Sequence, residues 1–364
     1  MKIKLGRDDL LKPLTQVGGV VERRQTLPIL SNVLIKIENG ELVITATDLE
    51  VELKAKSKIE SDIEQEFTLP ARKLLDICKA LPINSDLQID LNEERAILKS
   101  GRSRFTLSTL PAQDFPAIEA SVSNERFSLP GTTLKRLIEK TQFAMAQQDV
   151  RYYLNGMLLE AKEGKIRTVA TDGHRLALSE ADYNKPLDID VILPRKAVLE
   201  LSRILTNSEE NVQIEISNNH AKIDVGNISF TTKLIDGKYP DYRGVLPRST
   251  DNKIEADREE MRQALQRASI LSNEKYRGIR FKVTTGTLEL LAHNPEQEEA
   301  EEEIAVEYSG DDLTIGFNVG YLIDVLSAIS SEKVHIELGD VNSSCLIYAA
   351  GNNESRYVVM PMRL

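Results

Sequence analysis

Residues Phe67–Leu81 read FTLPARKLLDICKAL. A short apolar run ends at Pro70, and Leu74, Ile77, Cys78 and Leu81 then recur every three to four positions. Proline suits a helix start, because the N–H it lacks would have no partner there. The spacing that follows lays one apolar stripe along a helix. The same sentence is written five more times: IKLGRDDLLKPLTQV from Ile3, FSLPGTTLKRLIEKTQF from Phe127, VILPRKAVLELSRIL from Val191, IEADREEMRQALQRASIL from Ile254 and IGFNVGYLIDVLSAI from Ile315. The copies stand about 60 to 64 residues apart. Fixed-period self-similarity sets an architecture before any single element does.

The stripes persist through the copies. Leu134, Leu137, Ile138 and Thr141 form the third, Val198, Leu201, Ile204 and Leu205 the fourth, and Met261, Leu265, Ala268 and Leu271 the fifth. The first copy carries Pro13 inside its pattern, which predicts a helix that is short or distorted beyond its first turn. Between the helices the period drops to two, as in Val33–Ile35–Ile37, Leu42–Ile44–Ala46 and Leu87–Ile89–Leu91. Asn39-Gly40, Glu163-Gly164 and Asn218-Asn219 punctuate runs of about five residues, the signature of antiparallel meanders. Each copy is therefore one helix plus about four strands. The fold class is α+β, with helices packed on antiparallel sheets.

A longer period of about 124 residues overlies the short one. TLPILSNVLIKI at Thr26 returns as VRYYLNGMLLEA at Val150 and KYRGIRFKV at Lys275. TATDLEVEL at Thr45 returns as TVATDGHRLAL at Thr168. The chain of 364 residues thus divides into three repeated domains, 1–124, 125–247 and 248–364, each holding two helices.

Composition narrows the function. No window approaches the ~18 apolar residues of a membrane span, and the start MKIKLGRDDLLKPL is not a secretory signal. Cys78 and Cys345 cannot make a disulfide framework; as buried core residues they suit a reducing, cytoplasmic setting. The net charge of −11 argues against nucleic acid when taken whole. Its distribution is uneven, however. Acid gathers at Glu296–Glu303, while repeat helices run basic at Arg72, Lys73 and Lys79, at Lys135, Arg136 and Lys140, and at Arg195, Lys196 and Arg203. A solvated helix face is the plain explanation for any one of these, but not for their recurrence. Six helices at ~10 Å spacing span ~60 Å of arc. Twelve, from a dimer, would line a ring with an opening of roughly 28 Å once helix thickness is removed. An open solenoid fits the periodicity equally well.

The segments TLPIL, GRSRFTLSTLPAQDFP, QDVRYYLNGM, VATDGHRLA, DGKYPDYR, LSNEKYRG, NPEQEEAEE and YVVMPMRL, in this order and spacing, resemble the bacterial sliding clamp family, the beta subunits of DNA polymerase III, from Met1 to Leu364. The resemblance implies a DNA clamp fold and a head-to-tail homodimer closed around duplex DNA. It implies no cofactor and no chemistry of its own. The implied partners are the DNA polymerase III alpha subunit, the clamp loader, and other polymerases and repair proteins that dock by short peptides.

Three groups of residues follow. For DNA, Arg24, Arg72, Gln148, Tyr152 and Tyr153 match the family's contact positions; Arg195 and Lys196 are added by the internal repeat. A sliding protein should touch phosphates, which position without carrying sequence information. Tyr152 and Tyr153 read equally as a strand pair with one ring packed inward. For partner peptides, the resemblance marks Leu154, Thr171, Gly173, His174, Arg175, Leu176, Pro240, Val245, Asn318, Tyr321, Ser344, Val358, Val359, Met360, Pro361, Met362 and Arg363. Two departures stand out: Gly244 where relatives often carry Arg, and Asn342 where an apolar residue is common. For the dimer seam, Lys73, Arg95, Arg102, Arg104, Phe105 and Leu107 would face Ile270, Leu271, Glu296, Glu298, Glu299, Glu301 and Glu302.

Two rivals remain at this level. One is a repeat-built adaptor that never encloses DNA. The other is a metal-dependent hydrolase around Asp172 and His174. No second His or Cys stands at ligand spacing from His174, and Thr-Asp-Gly reads as a strand-to-turn corner with Gly173 as its permissive residue.

Overall fold

The computed structural model describes residues 2–21, 27–61, 63–92, 94–118, 124–205, 207, 209–247 and 252–363. Six helices lie among them: α1 Arg7–Val17, α2 Ala71–Ala80, α3 Gly131–Thr141, α4 Arg195–Ile204, α5 Arg258–Ala268 and α6 Val319–Ala328. Each follows a strand with no residue between. Lys2–Gly6, Gln65–Pro70, Glu125–Pro130, Ile189–Pro194, Lys253–Asp257 and Leu313–Asn318 run directly into them. Three more strands separate each helix from the next such junction, and all ladders are antiparallel. The strand–helix–meander unit is thus repeated six times, as the period predicts.

The stripes face inward. Leu74 and Cys78 of α2 are buried, as are Leu137, Ile138 and Thr141 of α3 and Met261, Leu265 and Ala268 of α5. Thr141 holds an apolar position because its hydroxyl donates to Leu137 O at 2.8 Å and lies 3.1 Å from the Thr168 hydroxyl. Pro13 corrects one expectation: α1 runs unbroken from Arg7 to Val17 with the proline buried at its centre. An internal proline costs ~3 kcal/mol. Burial of Leu10, Leu14 and Val17, at ~1.5–3 kcal/mol each, outweighs that cost.

Hairpin chemistry fixes the registers. Asn39 and Gly40 both take positive φ, 52° and 73°, and join Glu38 to Glu41. Glu163 and Gly164, at 56° and 72°, do the same between Lys162 and Lys165. Such two-residue turns match the twist of paired strands.

The chain forms two compact units, Met1–Leu134 with Leu199–Leu234, and Lys135–Val198 with Ile235–Leu364. Each contains one eight-stranded and one four-stranded sheet. In the first unit, strand Val51–Lys58 pairs with Ile228–Lys233 to join two meanders into the larger sheet. The smaller sheet ends on Ser103–Ser108, and α1 packs on α2 and on strands Glu41–Thr47 and Val51–Lys58. In the second unit, Arg175–Asp182 pairs with Asn352–Val359 in the same way. Its smaller sheet ends on Glu299–Ala305, and α5 packs on α6 and on strands Thr287–His293 and Glu299–Ala305.

Candidate partner groove and nucleic-acid surface

The second unit carries an apolar groove of about 140 Å³. Strand Lys165–Thr171 ends at a tight corner, and the next strand returns from Arg175 beside the chain's last strand. Leu176 and Val358 are opposite each other in that ladder and form the floor with Leu154. Pro240 and Val245 build one wall; Met360, 38% exposed, stands at the rim. Leu176, Val358 and Tyr242 belong to one buried cluster with Leu158, Val169, Leu178, Ile192 and Tyr239.

The corner satisfies itself. Asp172 Oδ1 accepts the N–H groups of His174 and Arg175 at 2.9 and 3.0 Å, and its Oδ2 accepts Arg175 Nε at 3.0 Å. Gly173 has φ +87°, and a side chain there would meet the Arg151 guanidinium at 2.9 Å. Asp172 is therefore spent on shaping a turn. No cluster of three metal-ligating side chains occurs among the described residues.

Of the residues marked from sequence, the groove brings together Leu154, Thr171, Gly173, Arg175, Leu176, Pro240, Val245, Val358 and Met360. His174 and Tyr321 lie beyond that lining and stack on each other, centroids 6.5 Å apart. Asn318 caps α6 by accepting Tyr321 N–H at 3.2 Å. Val359 is wholly buried in the ladder, opposite Arg175 and Cys345. Ser344, Pro361 and Met362 are half-buried and Arg363 exposed; Met362 N–H donates to Gly316 O at 2.8 Å. Gly244 and Asn342 are both exposed. Sequence reasoning missed Arg151 and Tyr242 as lining residues. Tyr242 sits in DGKYPDYR, one of the segments that carry the family resemblance, and that was the available signal.

The nucleic-acid candidates divide. Arg24 lies outside the described residues. Arg72 is exposed on α2. Tyr152 and Tyr153 form no strand pair. They sit in the 3-10 turn Tyr152–Asn155 with rings edge-on at 5.9 Å, because the loop before them is braced into a turn. Asn155 Nδ2 donates to Asp149 O at 2.8 Å while its Oδ1 accepts Asp149 N–H at 2.9 Å. Gln148 takes φ +58° in that loop, and Val150 at its tip is 95% exposed. Tyr152 is 59% exposed, whereas Tyr153 packs into the groove wall. Arg195 begins α4 and donates to Met145 O at 3.1 Å; Lys196 follows it, half-buried.

Six of the seam candidates fall on the two terminal strands: Arg104, Phe105 and Leu107 on Ser103–Ser108, and Glu299, Glu301 and Glu302 on Glu299–Ala305. In the first unit, Arg102 and Arg104 are exposed and Phe105 half-exposed, with Leu107 turned into the core. Lys73 and Arg95 are also exposed. In the second, Ile270 is 76% exposed and Leu271 half-buried beside it. Glu296, Glu298, Glu299 and Glu301 are exposed, while Glu302 is held by a bidentate pair with Arg267 at 2.7 and 2.6 Å.

Models of the DNA polymerase III beta subunit match almost the whole chain. The N-terminal domain matches residues 1–119, the central domain 128–241 and the C-terminal domain 243–363. The beta sliding clamp of Pseudomonas aeruginosa is 54% identical over 367 residues, and that of Escherichia coli 50% over 366, each covering all of both chains. Among solved structures, the DNA polymerase III subunit beta of P. aeruginosa superposes with a TM-score of 0.97 at 54% identity, and Caulobacter crescentus pol III beta with 0.94 at 37%, both over the full length of each chain. The class is that of DNA clamps, built from repeats of one domain. The chain belongs to the family of bacterial DNA polymerase III beta subunits, the beta sliding clamps, and is a processivity factor of DNA replication, not an enzyme.

Proposed function

We propose that two copies of this chain close head to tail around duplex DNA and that each offers its groove to short peptides of the polymerase alpha subunit, the clamp loader, and other polymerases and repair proteins. The observation that carries the peptide half is the groove itself, with its floor of Leu154, Leu176 and Val358 and a methionine rim at Met360. A few buried anchors usually dominate such binding, and methionine adapts to several partners. A clamp structure from P. aeruginosa is bound to griselimycin. Griselimycin should therefore displace the polymerase from this chain. Simultaneous binding of both would remove the groove from the account.

Closure is supported by Ser103–Ser108 and Glu299–Ala305, each the terminal strand of a four-stranded sheet. Unpaired edges are templates for another chain, and joining one to the other twice closes a ring. Arg102 and Arg104 would then face the acidic strand, with Phe105, Ile270 and Leu271 supplying apolar contact, Leu107 backing Phe105's strand from the core, and Lys73 and Arg95 flanking it. DNA would be touched at phosphates by Arg24, Arg72, Arg195 and Lys196, with Gln148 and Tyr152 on the braced loop. The division at 124 and 247 belongs to the same proposal, as does a cytoplasmic setting; no helix among the described residues is long and apolar enough to cross a membrane.

A further inference from the structure

One wall of the groove is a loop, and two tyrosine hydroxyls fasten it. Tyr239 Oη accepts the N–H of Thr171 at 3.1 Å. Tyr242 Oη donates to Glu160 Oε2 at 2.8 Å. Pro240 lies between these two tyrosines and Val245 follows them, so both wall residues are carried by the fastened segment. Tyr242 is itself part of the lining.

Glu160 is buried on strand Gly156–Lys162. A carboxyl group buried inside a protein needs hydrogen-bond partners, and this one has three. Besides the Tyr242 hydroxyl it accepts Arg167 Nη1 at 3.0 Å and Arg243 Nη2 at 3.1 Å. Arg167 is fixed in turn by Glu180 at 3.0 Å, and Glu180 also meets Arg356. Arg243, next to Tyr242 in sequence, lays its guanidinium 5.4 Å from that ring. Two consecutive loop residues thus converge on one carboxylate. The effect is to fix where the Tyr242 ring, and with it the wall, stands relative to the floor at Leu176 and Val358.

We infer that Glu160 is a positioning residue that sets the width of the groove, and with it the size of apolar side chain the groove prefers, by holding Tyr242 against the sheet. The inference rests on the groove being the peptide site.

The test uses the full chain and fluorescein-labelled hexapeptides ending in Leu-Leu, Leu-Phe or Leu-Trp, with binding followed by anisotropy. Tyr242→Phe keeps the ring and removes the fastening. It should weaken the Leu-Leu and Leu-Phe peptides by about five- to tenfold, the worth of one hydrogen bond. The Leu-Trp peptide should lose less, shifting preference toward the larger side chain by about threefold or more. Glu160→Gln retains an acceptor for the tyrosine and should shift preference the same way by a smaller factor. A merely structural role would lower the melting temperature and weaken all three peptides alike. Equal losses across the series, or no loss in either folded variant, would overturn the inference. If the unaltered chain bound none of the three, the groove assignment would fail instead.

Discussion

The Arg175 guanidinium lies 4.5 Å from the centroid of the Tyr321 ring and 5.3 Å from that of Phe143. It also donates to Asp172 Oδ2 at 3.0 Å, to Asp324 Oδ2 at 2.6 Å and to Phe143 O at 2.7 Å. One side chain therefore ties the groove's corner to α6 and to the turn after α3. Arginine offers a planar fork that lysine cannot reproduce. Arg175→Lys should cost ~1.5–3 kcal/mol of stability, the range for a hydrogen bond to a charged group, and weaken peptide binding. Thermal melting and anisotropy titration check both; a lysine variant unchanged in both measurements would contradict this assignment.

The dimer should rest on apolar contact rather than on charge. Burying an Ile or Leu is worth ~1.5–3 kcal/mol, an exposed ion pair ~0–1. Ile270→Ala with Leu271→Ala should sediment as a folded monomer. Neutralising Glu298, Glu299 and Glu301 should leave a dimer; the reverse pattern would invert the ranking.

Removing residues 361–364 deletes Met362, whose N–H bonds to Gly316 O, and leaves the Met360 rim as the chain end. Polymerase and loader binding should fall together while the dimer persists. Pull-down and sedimentation of the same truncated protein decide it, and undiminished polymerase binding would count against the groove.

The loop bearing Gln148 and Tyr152 should hold its shape far into acid. Hydrogen bonds from the Arg151 side chain, then from its backbone N–H, draw the Asp149 carboxyl from 3.8 down to about 2. A folded-state value below the free one means the pairing favours the ordered loop above pH 3.8 and is lost as pH falls through about 2. A carboxyl carbon titration by NMR should show a midpoint well under 3.8; a midpoint near 4 would mean the pair does not form.

Both thiols should be inert in the native protein. Burial pushes Cys78 up to about 11 and Cys345 to about 12. A disulfide exchange reagent at pH 8 should label neither until denaturant is added; rapid native labelling of either would contradict its burial.

The repeated junctions, the stripes and the two hairpins were legible in sequence because each depends on residues close together in the chain. Pro13 misled because local propensity cannot weigh the burial of Leu10, Leu14 and Val17. The strand pair offered as the alternative for Tyr152 and Tyr153 fails because the brace from Asn155 is a side-chain effect with no periodicity. Tyr242 and Glu160 stand 82 residues apart, and nothing local announces their bond. The terminal position of Ser103–Ser108 and Glu299–Ala305 likewise depends on sheet order, which periodicity leaves open.

The central claim is that the chain is held on DNA by topology rather than by affinity. Its net charge of −11 disfavours tight nonspecific binding, so retention must come from a closed ring. The direct measurement loads the protein onto a nicked circular plasmid with an ATP-driven loader and then cuts the circle. The account predicts retention at moderate salt on the intact circle and rapid loss once it is linear; equal retention on both forms would contradict it.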